Sequence, residues 1–442
     1  MPRHLSPRAS RCRLCGDVSR LPHPLPFSSL IELTQGLRAA LQAAADESSS
    51  LYREARARSE AAPEDFRRSL FLHFLSEAVT AELDIRPPFG PGKGFMVCKD
   101  NGASGFYAQN AAFALIDRFA SCRDADASVA WLDSLLQRQS ASGQGIMALR
   151  GVTVTEKVQL SPDIALVPLS ELPDSRTKAA ILTRHHDLTA SLIAGMWDVP
   201  ACALTMPAVI SPVFYAYPTA TPPVQTDPHR FQTALDEARR ALSLIGPSAP
   251  LNAGYWFQYD DPDLDRLSHS GLMGTMIEVM PTRFGGDIAL TGPPSIEVVS
   301  AYLALGGSLR DKTRLALDRL NQAVRRRPSG DKAIDLCIAF EVLVVDGPGE
   351  NTHKVGLRAA LAIGGSRAER VVHRAIVGAL YTIRSAVAHS GSLPSDVRVH
   401  GRGKVKSAKV IEEAEVVLAQ LIRALMQRRI PPQWYELEVG GE

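Results

Sequence analysis

Residues 366–391, SRAERVVHRAIVGALYTIRSAVAHSG, decide how the C-terminal third of the chain is read. Ser366 is a good helix N-cap, and Glu369 three positions on completes a capping box. Gly391 supplies the left-handed backbone that stops a helix. The stretch therefore predicts one helix from Ser366 to about His389. Val372, Ile376, Ala379, Leu380, Ile383 and Val387 fall within roughly 100° of arc at 100° per residue, a core-facing stripe. With Val372 at zero, Arg384 sits at about 120°, Tyr381 at about 180°, Ser385 at about 220° and His389 at about 260°. The polar set is thus expected on an outward face. Arg384 and His389, about 140° apart, meet a common ligand only if the helix end unwinds near Ala388 or a second copy supplies facing groups.

On either side of this helix the periodicity predicts others over 309–326, 331–345, 353–363 and 407–428. Strand signals are absent from about Leu309 onward. Val410, Ile411, Ala414, Val417, Leu418, Leu421, Ile422 and Leu425 give the last helix an apolar face. Residues 301–430 then read as an all-α bundle, followed by a tail over 431–442. Glu341 is an anomaly in a row formed with Ile334, Ile338 and Val345. A carboxylate in an apolar stripe needs a cationic or hydrogen-bonding partner, and Arg384 is the candidate. Two readings stay open: a structural pair, or a carboxylate that orients Arg384 toward phosphate. Arg325 to Arg327 read as a solvated helix end.

The remainder is more varied. Residues 1–26, rich in Arg, Pro and Ser, read as a disordered basic tail, with an organellar presequence or a misplaced start as alternatives. Cys12 and Cys15 have half of a zinc spacing, but Cys98 and Cys122 do not complete it. Leu30, Leu33, Leu37 and Leu41 predict a helix from Phe27. Others are expected from Pro63 to Leu83, with His73 packed inside, and near 108–122 and 126–138. The Gly/Pro run over 87–105 lacks the spacing of a phosphate loop and reads as a surface loop. Strands are expected within 146–218, with Val209 to Tyr217 an edge or broken one, and at Gly254 to Tyr259, where aromatic residues fit either base stacking or core packing. His185, His186 and Asp187 do not share a side of a helix or strand as a ligand set would. The fold class is α+β: a mixed region over 27–300 precedes the helical bundle, and it carries a sensing or regulatory role only under the family resemblance given below.

Composition excludes several classes. The 442 residues are 45% hydrophobic and 22% charged, ordinary globular usage that excludes collagen-like and wholly disordered chains. No run of about 18 apolar residues predicts a membrane span. Six cysteines are too few for a disulfide scaffold, which makes a reducing cytoplasm the expected location. The net charge of +2 hides a split: residues 301–442 hold 22 Lys and Arg against 15 Asp and Glu. An anionic partner fits that end.

In this context Arg384-Ser-Ala-Val-Ala-His389 resembles the Arg-x4-6-His motif of HEPN domains. The surroundings, Asp335-Leu-Cys-Ile-Ala-Phe-Glu341 and Leu380-Tyr381-Thr-Ile-Arg384 through His389-Ser-Gly391, resemble the Apea-like branch. The resemblance implies a metal-independent endoribonuclease that dimerises through the C-terminal bundle, used in defence against phage or as a toxin. It implies Arg384 and His389 as the catalytic pair, Ser385 as the polar neighbour and Glu341 as the accompanying acid. It implies no cofactor.

The residue types suit that chemistry on their own terms. RNA carries its own nucleophile, the 2′-hydroxyl. A histidine can move a proton near neutral pH, and an arginine offers a planar fork to phosphate oxygens. The expected product is a 2′,3′-cyclic phosphate. Tyr381 and Ser385 either hold phosphate or are surface groups. Arg398, Arg402, Lys404 and Lys406, with His400 among them, follow the motif in a Gly-punctuated loop that suits an RNA backbone. The alternative for that loop is a solvated segment offsetting Glu412, Glu413 and Glu415. The alternative for the whole is a non-catalytic helical module that dimerises or binds.

Overall fold

Side-chain capping sets the first helices among the described residues. Thr34 accepts from the Leu37 amide at 3.0 Å and opens α1 (Gln35–Ala45); Ser49 accepts from Tyr52 at 3.0 Å and opens α2 (Ser50–Glu60). The computed structural model describes residues 30–62, 64–99, 102–175, 177–183, 199–219, 230–246, 249–268, 288–290, 292–326, 330–346 and 351–440. The Cys12/Cys15 pair and His185-His186-Asp187 lie outside the described residues.

The chain divides into two compact units, Met1–Gly94 with Tyr107–Ser134, and Phe95–Phe106 with Leu135–Glu442. In the first, α3 (Glu64–Asp84) packs against α1, α2 and α4 (Ala108–Cys122), and Arg38 of α1 pairs at 2.9 Å with Asp126 of α5 (Ala125–Leu136). The Arg58 guanidinium lies 3.8 Å from the centre of the Phe74 ring and grips Glu77 with two hydrogen bonds of 2.7 and 3.1 Å. Two expectations fail here. Leu30 and Leu33 precede the helix, which starts at Gln35 because Thr34 caps it. His73 is not packed but exposed, and its Nδ1 meets Gln109 Nε2 at 2.6 Å.

The second unit is built on a five-stranded antiparallel sheet. Its strands are β3 (Ala141–Arg150), β5 (Val158–Gln159), β6 (Ala165–Pro168), β7 (Cys202–Ile210) and β9 (Leu251–Tyr259), in the order β5-β6-β7-β3-β9. Alternation splits the side chains between two cores. Met147, Leu149, Leu204 and Tyr255 face one cluster; Ile146, Ala148, Ala203 and Trp256 face the other. Every residue of β9 is buried, which assigns its aromatic side chains to packing. A small sheet, β2-β1-β8, pairs β1 (Gly94–Lys99) with β2 (Gly102–Phe106) and β8 (Phe214–Tyr217). The 87–105 stretch is therefore half hairpin, not a plain loop. Residues 151–158 form only the ends of two short pairings, one of them β4 (Val152–Thr153) with β10 (Ile288–Ala289).

Helices α6 (Arg230–Ala241), α7 (Pro262–Leu267) and α8 (Pro293–Leu303) lead to the C-terminal helices α9 (Gly307–Arg325), α10 (Gly330–Val344), α11 (Asn351–Ile363), α12 (Arg367–Ser390), α13 (Ser407–Arg428) and α14 (Trp434–Glu438). One apolar cluster runs from the sheet through these helices to Trp434. Polar ties cross the same junction: Ser300 Oγ donates to Leu160 O at 2.7 Å, and Asn321 Nδ2 donates to Ser243 Oγ at 3.0 Å. Residue 301, the expected start of the bundle, lies inside α8 and within this unit, and Gly307 opens α9. The chain is thus mixed α/β with a helical C-terminal region.

That region is not all-α. A hairpin, β11 (Asp396–Val399) with β12 (Gly403–Lys406), occupies the stretch expected as a loop. Val397 and Val399 turn inward while Arg398, His400 and Lys404 stay exposed, the period of a half-buried strand. Arg326 is not simply solvated: it pairs with Asp331 at 2.8 Å and Asp335 at 3.0 Å, because the turn into α10 brings both acids back to it. Trp434 in the last segment is buried and lies beside Arg358, whose guanidinium also binds Asp346 and Glu438.

Candidate functional site

The site begins with the ends of α12. The Ser366 hydroxyl accepts from Glu369 N at 3.3 Å while Ser366 N donates to the Glu369 carboxylate at 2.7 Å, a closed capping box. Gly391 ends the helix with φ 68°. Helices α10 and α12 run antiparallel. At one end Gly330 lies so close to Val387 that a Cβ would come within 2.3 Å of it; at the other Glu341 reaches Tyr381. The bare Gly330 backbone therefore sets how near the two helices pass.

Tyr381 is the largest departure from the helical arithmetic. It was expected on the outward face; its ring is 5% exposed, and its hydroxyl donates to Glu341 Oε1 at 3.0 Å. The reason is that α12 packs on α10, α11 and α13, so its buried arc is wider than one apolar stripe. Val372 departs the other way and is exposed, since residues 365–372 all stand in solvent and burial starts at Ile376. Burial, with Cys337 and Glu341 adding to it, pushes the Tyr381 phenol far above its ordinary range. It is held as a neutral donor to the carboxylate. Burial also pushes the neighbouring Cys337 thiol up, which keeps it from acting as a thiolate.

Glu341 is partly open, its side chain 25% exposed, so it is not the sealed carboxylate the apolar row implied. Arg384 Nη1 lies 3.9 Å from the same Oε1 that accepts from Tyr381, and its guanidinium carbon lies 5.8 Å from the centre of the Tyr381 ring. Arg384, Glu341 and Tyr381 thus form one cluster that leaves the guanidinium 41% exposed. The pair is loose, and the arginine side chain stays partly open to solvent.

His389 and Ser385 stand on another face. With Tyr381, Thr382, Ala386 and Ser390 they line a shallow groove of about 570 Å³, cut entirely along α12. Small side chains make the room. The Thr382 and Ser390 hydroxyls donate back to Gly378 O and Ala386 O at 3.1 and 2.7 Å. Ser385 and His389 have no such partner among the described residues. Arg384 does not line this groove. Within one chain the arginine and histidine therefore stay on different faces, as their spacing predicts.

The basic hairpin packs against α12 and α13. Its cations divide. Arg402 is clamped to Glu413 by two hydrogen bonds of 2.6 and 3.0 Å, and Lys406 lies 3.4 Å from Asp396. Arg398 and Lys404 face each other directly across the strands, an arrangement of like charge that costs stability unless an anion lies between them. Glu415, expected among the acids that offset the loop, is instead buried against Lys332 at 2.8 Å. Burial raises its carboxyl above the ordinary range. In sequence Lys332 stands between Asp331 and Asp335, and Glu415 follows Glu412 and Glu413, so nothing marked the two as a pair. No three potential metal ligands come together among the described residues.

Comparison with models of protein families, with curated proteins and with solved structures finds no match to this chain, so the HEPN likeness is carried by the residues quoted above.

Proposed function

We propose that the protein is a metal-independent, HEPN-type endoribonuclease whose cutting site is completed by a second copy of the chain. The observation that carries this reading is the arrangement on α12. An exposed imidazole and a hydroxyl share one groove, and an outward guanidinium, backed by Tyr381 and Glu341, sits on the adjacent face. Across a two-fold axis, His389 of one copy would face Arg384 of the other. His389 transfers a proton to or from the reacting oxygens while the 2′-hydroxyl attacks phosphorus. Arg384 neutralises the crowded phosphorane. The leaving 5′-oxygen departs with a proton, and a 2′,3′-cyclic phosphate remains. Under this reading the preceding mixed region senses a trigger or holds an inhibitor, as suits a defence enzyme or toxin.

A second reading is favoured by the absence of Arg384 from the groove: the helical region binds RNA or its own copy without cutting. Incubating the protein with total RNA in EDTA separates the two. Cleavage with cyclic phosphate ends, abolished by His389→Ala and by Arg384→Ala, is the expected result. Intact RNA, or equal cleavage by the His389→Ala protein, overturns the nuclease reading.

A further inference from the structure

The outward face of α12 continues beyond the groove. With Gly378 at zero and roughly 100° per residue, Arg367 falls near −20°, Arg374 near −40°, Ser385 near −20° and His389 near 20°, with Arg370 about 40° beyond Arg374. The three arginines are exposed and stand about a turn apart on the first half of the helix. Arg374 donates to His353 Nε2 at 2.9 Å, a contact that leaves its charge uncompensated. Glu369, the only acid on α12, lies on the opposite side at about 180° and is engaged by Ser366.

Gly378 is the second observation. It sits mid-way along a 24-residue helix, where glycine lowers helix stability relative to alanine. Packing does not require it, because a Cβ built there meets nothing within 4 Å. A bare stretch of helix backbone between an arginine row and the groove is what close approach of a ligand calls for.

We infer that α12 is a track for single-stranded RNA: the phosphodiester backbone lies along its outer face, its phosphates on Arg367, Arg370 and Arg374, passes over Gly378 and enters the groove of Ser385 and His389. The inference rests on RNA being the substrate and adds where the strand runs. Contacts of this kind hold phosphate and carry no sequence information, so the track gives affinity and direction without base preference.

The test uses the full chain and a fluorescein-labelled 20-nucleotide 2′-O-methyl oligouridine, which lacks the nucleophile and so is not cut, read by anisotropy over a salt series in EDTA. The variant Arg367→Gln/Arg370→Gln/Arg374→Gln is set against a matched triple on the first unit, Arg67→Gln/Arg68→Gln/Lys93→Gln. The track variant is expected to bind at least ~10-fold more weakly, with the slope of log K against log salt reduced by about 2. The matched triple should remain within about twofold of wild type on the same counterion argument. Gly378→Phe should weaken binding while Gly378→Ala raises the melting temperature, which shows that the larger variant fails through blocked approach and not through a packing clash. Unchanged affinity in the track variant, or equal loss in the matched triple, overturns the track. Binding that depends on the track in a protein that cuts nothing keeps the track and removes the nuclease. Cleavage that needs His389 but ignores the arginines does the reverse.

Discussion

β9 and the outer face of α12 hold the two most chemically suggestive stretches of the chain, and they are used in opposite ways. Tyr255, Trp256, Phe257 and Tyr259 on β9 are all buried, divided between the faces of a sheet that is covered on both sides. Ser385 and His389 on α12 are exposed in a groove that small neighbours keep open. Aromatic rings that fit base stacking on paper are consumed by the core, while hydroxyl and imidazole groups that a core could have satisfied are left outside. Buried area explains β9. It does not explain α12, where an internal glycine gives up helix stability and where an exposed arginine row and a histidine with no partner among the described residues add nothing to the core.

Substitutions in β9 and in the α12 site should therefore have opposite consequences. Trp256→Ala should lower unfolding free energy by about 3–5 kcal/mol in urea titration, as expected for a large aromatic removed from a packed layer. The RNA affinity of the folded fraction should be unchanged. An affinity loss at full stability would move β9 to the functional side. Tyr381→Phe stands between the two regions. Losing its hydrogen bond to Glu341 should cost about 1 kcal/mol, and RNA cleavage should fall because Arg384 loses the carboxylate's fixed orientation. Lower stability with unchanged cleavage would make the cluster purely structural. The smallest effect concerns the hairpin. The Arg402 guanidinium holds the Glu413 carboxyl below its usual range. A depressed acid contributes stability that is full above the ordinary carboxylate value and is lost as pH falls through the depressed one. Methyl spectra of Val397, Val399 and Val405 should therefore report loosening on acidification, and Arg402→Gln should show it already at neutral pH. Identical acid titrations of the two proteins would remove the clamp.

What the sequence made legible follows from where local signals and packing agree. Ser366, Glu369 and Gly391 mark both ends of α12, and eight apolar positions mark the face of α13. Local signals fail where the fold overrides them. The start of β3, Ala141-Ser-Gly-Gln-Gly, has no alternating apolar residues, and its pairing comes from β7 and β9 on either side. β7 is interrupted by Pro207, which hid a nine-residue strand. α2 offers few apolar side chains and depends on packing against α3. In the β11–β12 hairpin, the glycines that suggested a loop are the turn itself, with Gly401 and Gly403 at φ 74° and 75°. In the site, the Glu341–Arg384 proximity was readable from stripe geometry, whereas the inward turn of Tyr381 required knowing that three helices, not one, pack on α12.

The most direct test is complementation between two inactive proteins. Arg384→Ala and His389→Ala variants are purified separately, mixed, allowed to exchange subunits, and assayed on labelled RNA in EDTA. If each cutting site takes its arginine from one copy and its histidine from the other, neither variant cuts alone and the mixture regains roughly a quarter of wild-type activity, one intact site in every mixed dimer. A mixture as inactive as its components, with exchange verified, would contradict the composite site.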